Sequence, residues 1–146
     1  MEIRPATADD RSSIETLLHQ CDLPVVGVGD HLQDFVVAME GSTICGCGGI
    51  EHYGDAALLR SIAVAQQKRD SGLGQRIVSR LVAECHSREV RSLALLTTTA
   101  ESYFARHGFV RVSRQDIPAP LLASLQFRGV CPDSATAMLK DLNPVL

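Results

Sequence analysis

Leu59-Arg60-Ser61-Ile62-Ala63-Val64, the polar run Ala65-Gln66-Gln67-Lys68, and Arg69-Asp70-Ser71-Gly72-Leu73-Gly74 form the stretch from which the rest of the chain is read. A strand is expected to end at Val64 and a polar loop to follow over 66–71. Beyond it Leu73, Ile77, Leu81 and Cys85, joined by Val78 and Val82, recur at the spacing of one helical face and predict a helix over 73–88. The first N–H groups of a helix lack intrahelical partners and sit at its positive dipole end, and Gly72 and Gly74 allow a close approach of the backbone. Such an entry suits a pyrophosphate-sized anion. The same glycines also suit a tight strand-to-helix turn that binds nothing. The loop lacks the Gly-Lys-Ser/Thr ending of a P-loop, and its strand arrives from an antiparallel hairpin rather than a Rossmann unit.

Working outward, residues 35–40 and 43–53 read as strands joined at Glu40-Gly41-Ser42, and a third antiparallel strand over 57–64 follows Gly54-Asp55. Residues 2–4 read as a first strand. Thr7 with Asp10 three residues on is a variant capping box, opening a helix that carries Ile14, Leu17 and Leu18 on one face and ends near Gln20. Residues 23–30 read as a loop, with a helical turn over 30–33. Downstream, the apolar run 93–96 reads as a buried strand, and its connection to 57–64 through a helix predicts a parallel crossover. Thr99 is expected to cap a short helix through His107, with Gly108 as its stop, a strand over 109–112, a loop with a helical turn over 118–125, and a closing strand over 135–140. This predicts a mixed α/β fold in one domain, residues 1–146.

The size, 146 residues, supports one core, and with 45% hydrophobic and 21% charged residues the composition is globular. No apolar run approaches the ~20 residues of a membrane helix, and no basic stretch leads an apolar one. Cys21, Cys45, Cys47, Cys85 and Cys131 are odd in number and form no CxxC pair, which predicts a reduced, cytoplasmic protein without a metal site. Residues 1–55 carry ten acids against Arg4 and Arg11, whereas residues 56–146 carry seven acids against twelve basic residues. The second part therefore suits an anionic ligand. Basic runs with interleaved aromatics are missing and Trp is absent, which argues against nucleic acid as a partner.

The chain resembles the GNAT superfamily of acyl-CoA-dependent N-acyltransferases along nearly its whole length. Residues 59–64 followed by Arg69-x-x-Gly72-x-Gly74 look like that family's acetyl-CoA motif, and Ala100, Phe104 and Gly108-Phe109 fall where its second motif expects Ala, Tyr and Gly-Phe. A narrower similarity runs through residues 95–109 and 53–61 to small amino-acid acetyltransferases found with arsenic-resistance genes. A more distant one is to the acetyltransferase domain of N-acetylglutamate synthases, whose Arg-x-Ser stretch is replaced here by Pro132-Asp133-Ser134. The resemblance implies a mixed, mostly antiparallel sheet splayed near Val64, with helices on both faces and acetyl-CoA as cosubstrate. The backbone of Ile62, Ala63 and Val64 would pair with the pantetheine arm. The amides of Arg69, Asp70, Ser71, Gly72, Leu73 and Gly74 would hold the pyrophosphate, and Gln75 would belong to the same cofactor site. Arg76, one turn in, either reaches an adenosine phosphate or is a solvated face residue. Phe104 takes the place of the Tyr that protonates the departing thiolate in many relatives, and Phe has no proton to give.

Transfer to an amine requires the neutral amine, hence a base. Glu51, at the end of an apolar strand, is the candidate, since burial there would raise its pKa; an exposed strand-end acid is the alternative. His52 alternates to the other face, and His107 is expected to assist a helix C-terminus. Arg60, two residues before Ile62 and so expected on its face, would grip a substrate carboxylate or pair with one of the many acids. Tyr103 turns about 100° from Phe104 and is expected to pack or to wall the substrate. Cys45 and Cys47 read as small core residues between glycines. The expected reaction is direct acetylation of a small carboxylate-bearing amine. Acetylation of a peptide N-terminus and a non-catalytic acyl-CoA sensor are the alternatives, and exposed sheet edges suit a homodimer.

Overall fold

A computed structural model describes residues 1–130 and 134–142. In chain order its elements are β1 (Glu2–Pro5), α1 (Arg11–Gln20), α2 (Val28–His31), β2 (Phe35–Glu40), β3 (Thr43–Tyr53), β4 (Ala56–Val64), α3 (Leu73–Ser87), β5 (Ser92–Thr97), α4 (Glu101–Ala105), β6 (Val110–Arg111) and β7 (Thr136–Asp141). The strands follow the order β1-β2-β3-β4-β5-β7-β6. Gly41 and Gly54, at φ +63° and +72°, turn the chain between β2, β3 and β4, a conformation glycine takes without a Cβ penalty. β4 and β5 run parallel, with Ala56 opposite Ser92 and Leu58 opposite Ala94, as the crossover through α3 predicts. β7 lies antiparallel to β5 and to β6.

Two compact units are distinguished. The first joins Met1–Ile50 to Arg60–Glu84. In it Phe35, Val37, Cys47 and Ala63 pack with Ile14, Leu17, Leu18 and Val28. The glycines of β3 are demanded by this packing. A Cβ on Gly48 would lie 2.6 Å from Ile62 Cδ1 and 2.9 Å from Leu81 Cδ1, and one on Gly49 would lie 2.3 Å from the Phe35 ring. Neighbouring strand residues face opposite ways, so α3 covers one face of β3 and the α1 cluster the other. The second unit joins Glu51–Leu59 to the residues from Cys85 onward. Ala56, Leu58, Ala94, Ile117, Leu121 and Ala137 form a core there.

Three local expectations differ. Thr99 does not cap α4: the N-cap is Ala100, whose N–H donates to Thr97 Oγ1 at 3.0 Å, because the hydroxyl three residues earlier reaches it. The strand expected over 109–112 is registered on β7 at Val110 and Arg111, with Val112 N–H adding a bond to Ala137 O at 3.0 Å, and it starts after Phe109, whose N–H is held by the Phe104 carbonyl. The helical turn expected over 30–33 begins earlier, at Val28, behind a left-handed Gly27. Cys131, Pro132 and Asp133 lie outside the described residues. Among the described residues no helix is long and apolar enough to cross a membrane.

Candidate active site

β4 is interrupted at Ser61, a non-glycine residue at φ +61°. Residues 60 and 62 of a regular strand share a face. Here the Arg60 guanidinium lies 5.9 Å from the centroid of the Phe35 ring and Ala63 packs in that same cluster, whereas Ile62 lies against Gly48, Ile77 and Leu81. The expectation that Arg60 and Ile62 share a face is therefore corrected: the left-handed Ser61 consumes one step of the alternation, as a bulge does. The strain, of order 1–2 kcal/mol, is offset locally. Ser61 Oγ accepts from Arg60 Nε at 2.9 Å, and its carbonyl accepts from Cys47 Sγ at 3.3 Å. Arg60 is buried, and its Nη2 also donates to the Pro24 carbonyl at 3.4 Å.

After β4, the Ala65 N–H bonds to Cys45 O at 2.8 Å and a 3-10 turn spans Gln66–Lys68. Asp70 and Gly72 are left-handed, at φ +66° and +82°. Such alternation turns successive N–H groups toward one side and makes an anion-accepting concavity. A Cβ on Gly72 would meet nothing within 4 Å, so the concavity opens outward. The ladder of α3 starts with Arg76 N–H donating to Gly72 O at 3.1 Å, which places the amides of Leu73, Gly74 and Gln75 ahead of it. The Arg69 amide instead donates to Gln66 O, at 3.3 Å. The Arg69 side chain folds back, its Nε donating to Val64 O at 3.2 Å and its Nη2 reaching Cys21 Sγ at 3.6 Å. Ser71 Oγ donates to the Lys68 carbonyl, and the Lys68 ammonium pairs with Glu40. Arg76 is exposed and donates to the Met1 carbonyl at 3.3 Å, while Arg80 donates to the Ile3 carbonyl at 2.7 Å.

In the second unit Glu51 is 2% exposed rather than a strand-end surface acid. Its Oε1 accepts from Tyr53 Oη at 2.6 Å and from Ser124 Oγ at 2.7 Å. Tyr53 shares the strand face of Glu51 by alternation. Ser124, at the end of the 3-10 turn Ala119–Ala123, is the residue that sequence reasoning missed: it lies 73 positions away and belongs to no motif. The Tyr103 hydroxyl is buried without a hydrogen-bond partner among the described residues, and burial pushes its pKa up. Its ring packs 5.2 Å from Phe104 and 4.9 Å from His107. Phe104 is buried edge-on against Phe109 at 5.9 Å. The His107 N–H donates to the Phe104 carbonyl in the last turn of α4 at 2.9 Å, and Lys140 Nζ donates to the His107 carbonyl at 2.9 Å. Burial, then the Lys140 and Arg106 cations, hold the His107 imidazole below its usual pKa. Cys45 and Cys47 are buried core thiols, and burial pushes Cys47 up to about 12. Among the described residues no three His, Cys, Asp or Glu side chains gather as metal ligands.

A kinked strand, a left-handed glycine loop and an amphipathic helix on a mixed sheet define a class: the acyltransferases that take the acyl group from acetyl-CoA. The chain belongs to the GNAT acetyltransferase family, since residues 31–111 match its acetyltransferase (GNAT) domain. An amino-acid acetyltransferase of Neisseria meningitidis is 23% identical over 91 residues, which cover 61% of this chain. The match spans 21% of that relative's length, about a fifth. Among solved structures, a Mycobacterium tuberculosis protein crystallised in complex with CoA superposes with a TM-score of 0.80 at 22% identity, covering 98% of this chain and all of its own. The N-acetylglutamate synthase of Neisseria gonorrhoeae, complexed with CoA and N-acetyl-glutamate, gives 0.84 at 20% identity, covering 98% of this chain and 35% of its own. The fold is thus a GNAT fold, α/β with a seven-stranded mixed sheet.

Proposed function

We propose that the protein acetylates the primary amine of a small carboxylate-bearing molecule, an amino acid or an amino-acid-like toxicant such as an arsenical. The observation that carries this reading is the buried Glu51 carboxylate, held by two hydroxyls. The likeness to an amino-acid acetyltransferase and to an N-acetylglutamate synthase supports an amino-acid-like acceptor. The left-handed loop and the open side of Gly72 fit a pyrophosphate. Asp70, Ser71, Gly72, Leu73, Gly74 and Gln75 would hold it through their amides, with Ile62, Ala63 and Val64 along the pantetheine arm. Arg69 braces the loop through its bond to the Val64 carbonyl, Arg76 would reach an adenosine phosphate, and Phe104 is assigned to the cofactor by its place in the second motif.

Glu51 takes a proton from the substrate ammonium. The freed nitrogen bonds to the acetyl carbonyl carbon, the carbon–sulfur bond breaks, and the amide nitrogen releases its remaining excess proton to water. Backbone amides favour the oxyanion that develops. The departing thiolate takes its proton from water, since Phe104 has none and a thiol pKa lies only about 1–2 units above neutral. Arg60 is proposed for the substrate carboxylate from the face that carries Phe35 and the Pro24 carbonyl rather than from the Ile62 face, and Tyr103 walls the acceptor. We assign all of residues 1–146 to this one domain. The free thiols Cys21, Cys45 and Cys47 fit the cytoplasm, and exposed Val110 on edge strand β6 fits a homodimer.

The test is free-thiol release from acetyl-CoA across amino acids and glutamate-like arsenical and phosphinic analogues. Turnover on a carboxylate-bearing amine, lost in Gly72→Glu, is expected. Acetyl-CoA binding without any turnover would replace this reading with a peptide acceptor or a sensor.

A further inference from the structure

We infer that Ser124 and Tyr53 are positioning residues of the acetyl transfer, acting through Glu51. This rests on the reading of Glu51 as the base. A carboxylate buried to 2% exposure is costly unless its charge is met by donors. Both hydroxyls meet the same oxygen, at 2.6 and 2.7 Å, the lengths of charge-assisted bonds. The direction of the Ser124 bond is set by its surroundings. Its Oγ already accepts the Gln126 N–H at 3.1 Å, which leaves the hydroxyl proton for Glu51.

The serine itself is anchored on both sides. Its N–H donates to Leu121 O at 3.0 Å, and its carbonyl accepts from the Phe127 and Arg128 N–H groups at 3.1 and 3.2 Å. Leu121 in turn is fully buried in the core of the second unit. The turn over 119–130 therefore holds a hydroxyl donor against the carboxylate, while Tyr53 supplies the second donor from the strand that carries Glu51. Orientation of a reacting group within hydrogen-bond tolerance is a large part of catalysis, and a loosened base loses rate without losing the cosubstrate.

The test is steady-state thiol release, with acetyl-CoA and the amine turned over in the panel above, for Tyr53→Phe, Ser124→Ala, Glu51→Gln, and each hydroxyl variant combined with Glu51→Gln. Thermal unfolding and CoA binding report folding, and Tyr53→Phe keeps the ring should Ser124→Ala fold poorly. Each hydroxyl variant is expected to lower kcat about 10-fold with the KM for acetyl-CoA unchanged, and to add nothing once Glu51 is Gln. Equal losses in both backgrounds, or wild-type kcat in the single variants, would overturn the positioning role while leaving the base in place. Wild-type kcat in Glu51→Gln would overturn the base reading and this inference with it.

Discussion

Gly72, at φ +82° with open space where a Cβ would stand, separates the cost of conformation from the cost of blocking the loop. Gly72→Ala is expected to lower unfolding free energy by about 1 kcal/mol, read by urea denaturation. Gly72→Glu places a carboxylate where the pyrophosphate is proposed to sit and is expected to abolish CoA binding in calorimetry. Asp10 offers a test by pH. The Arg4 guanidinium, bonded to it at 2.8 and 3.0 Å, holds its carboxyl down at about 2, below the usual 3.8. A carboxyl depressed on folding stabilises the fold above its unfolded pKa. The contribution of Asp10 is thus complete above about pH 4 and lost as pH falls through about 2. Asp10 Oδ2 also accepts the Thr7 N–H at 2.8 Å, so Asp10→Ala is expected to cost on the order of 1–2 kcal/mol at neutral pH and less in acid. At Cys47, burial keeps the thiol protonated, and a maleimide is expected to leave it unlabelled in the native protein.

Among the elements, α3 and β3 explain each other. The helix was legible because its apolar residues repeat strictly, and the structure ends it at Ser87, one residue from the expected end. The β3 glycines are the flat floor on which Ile62, Ile77 and Leu81 rest. Gly48→Ala forces those side chains apart and is expected to cost about 1–3 kcal/mol of stability, seen as a lowered denaturation midpoint. What the sequence concealed is equally local. Serine has no preference for a left-handed conformation, so nothing in residues 59–64 announces the break at Ser61, and the alternation rule put Arg60 on the wrong face. Thr99 misled for a related reason, since either of two nearby threonines has the hydroxyl a cap requires.

For the molecule as a whole, the succession β2-β3-β4 and the parallel crossover to β5 followed from periodicity and turn residues, which are local signals, whereas the place of β7 between β5 and β6 had no such signal. The setting of Glu51 did not. Two of its donors are a residue of its own strand and one 73 positions on, joined by a fold that no spacing rule encodes. The glycine loop proposed to hold the cofactor was readable because one continuous stretch builds it, whereas the burial and bonding of Glu51, the proposed base, needed the tertiary structure. The central claim, acetyl transfer to an amine, is tested most directly by mass spectrometry of a carboxylate-bearing amine incubated with acetyl-CoA and the protein. An N-acetylated product with wild type and none with Gly72→Glu is the predicted result. Free acetate and CoA beside an unmodified amine, across the whole panel, would contradict it.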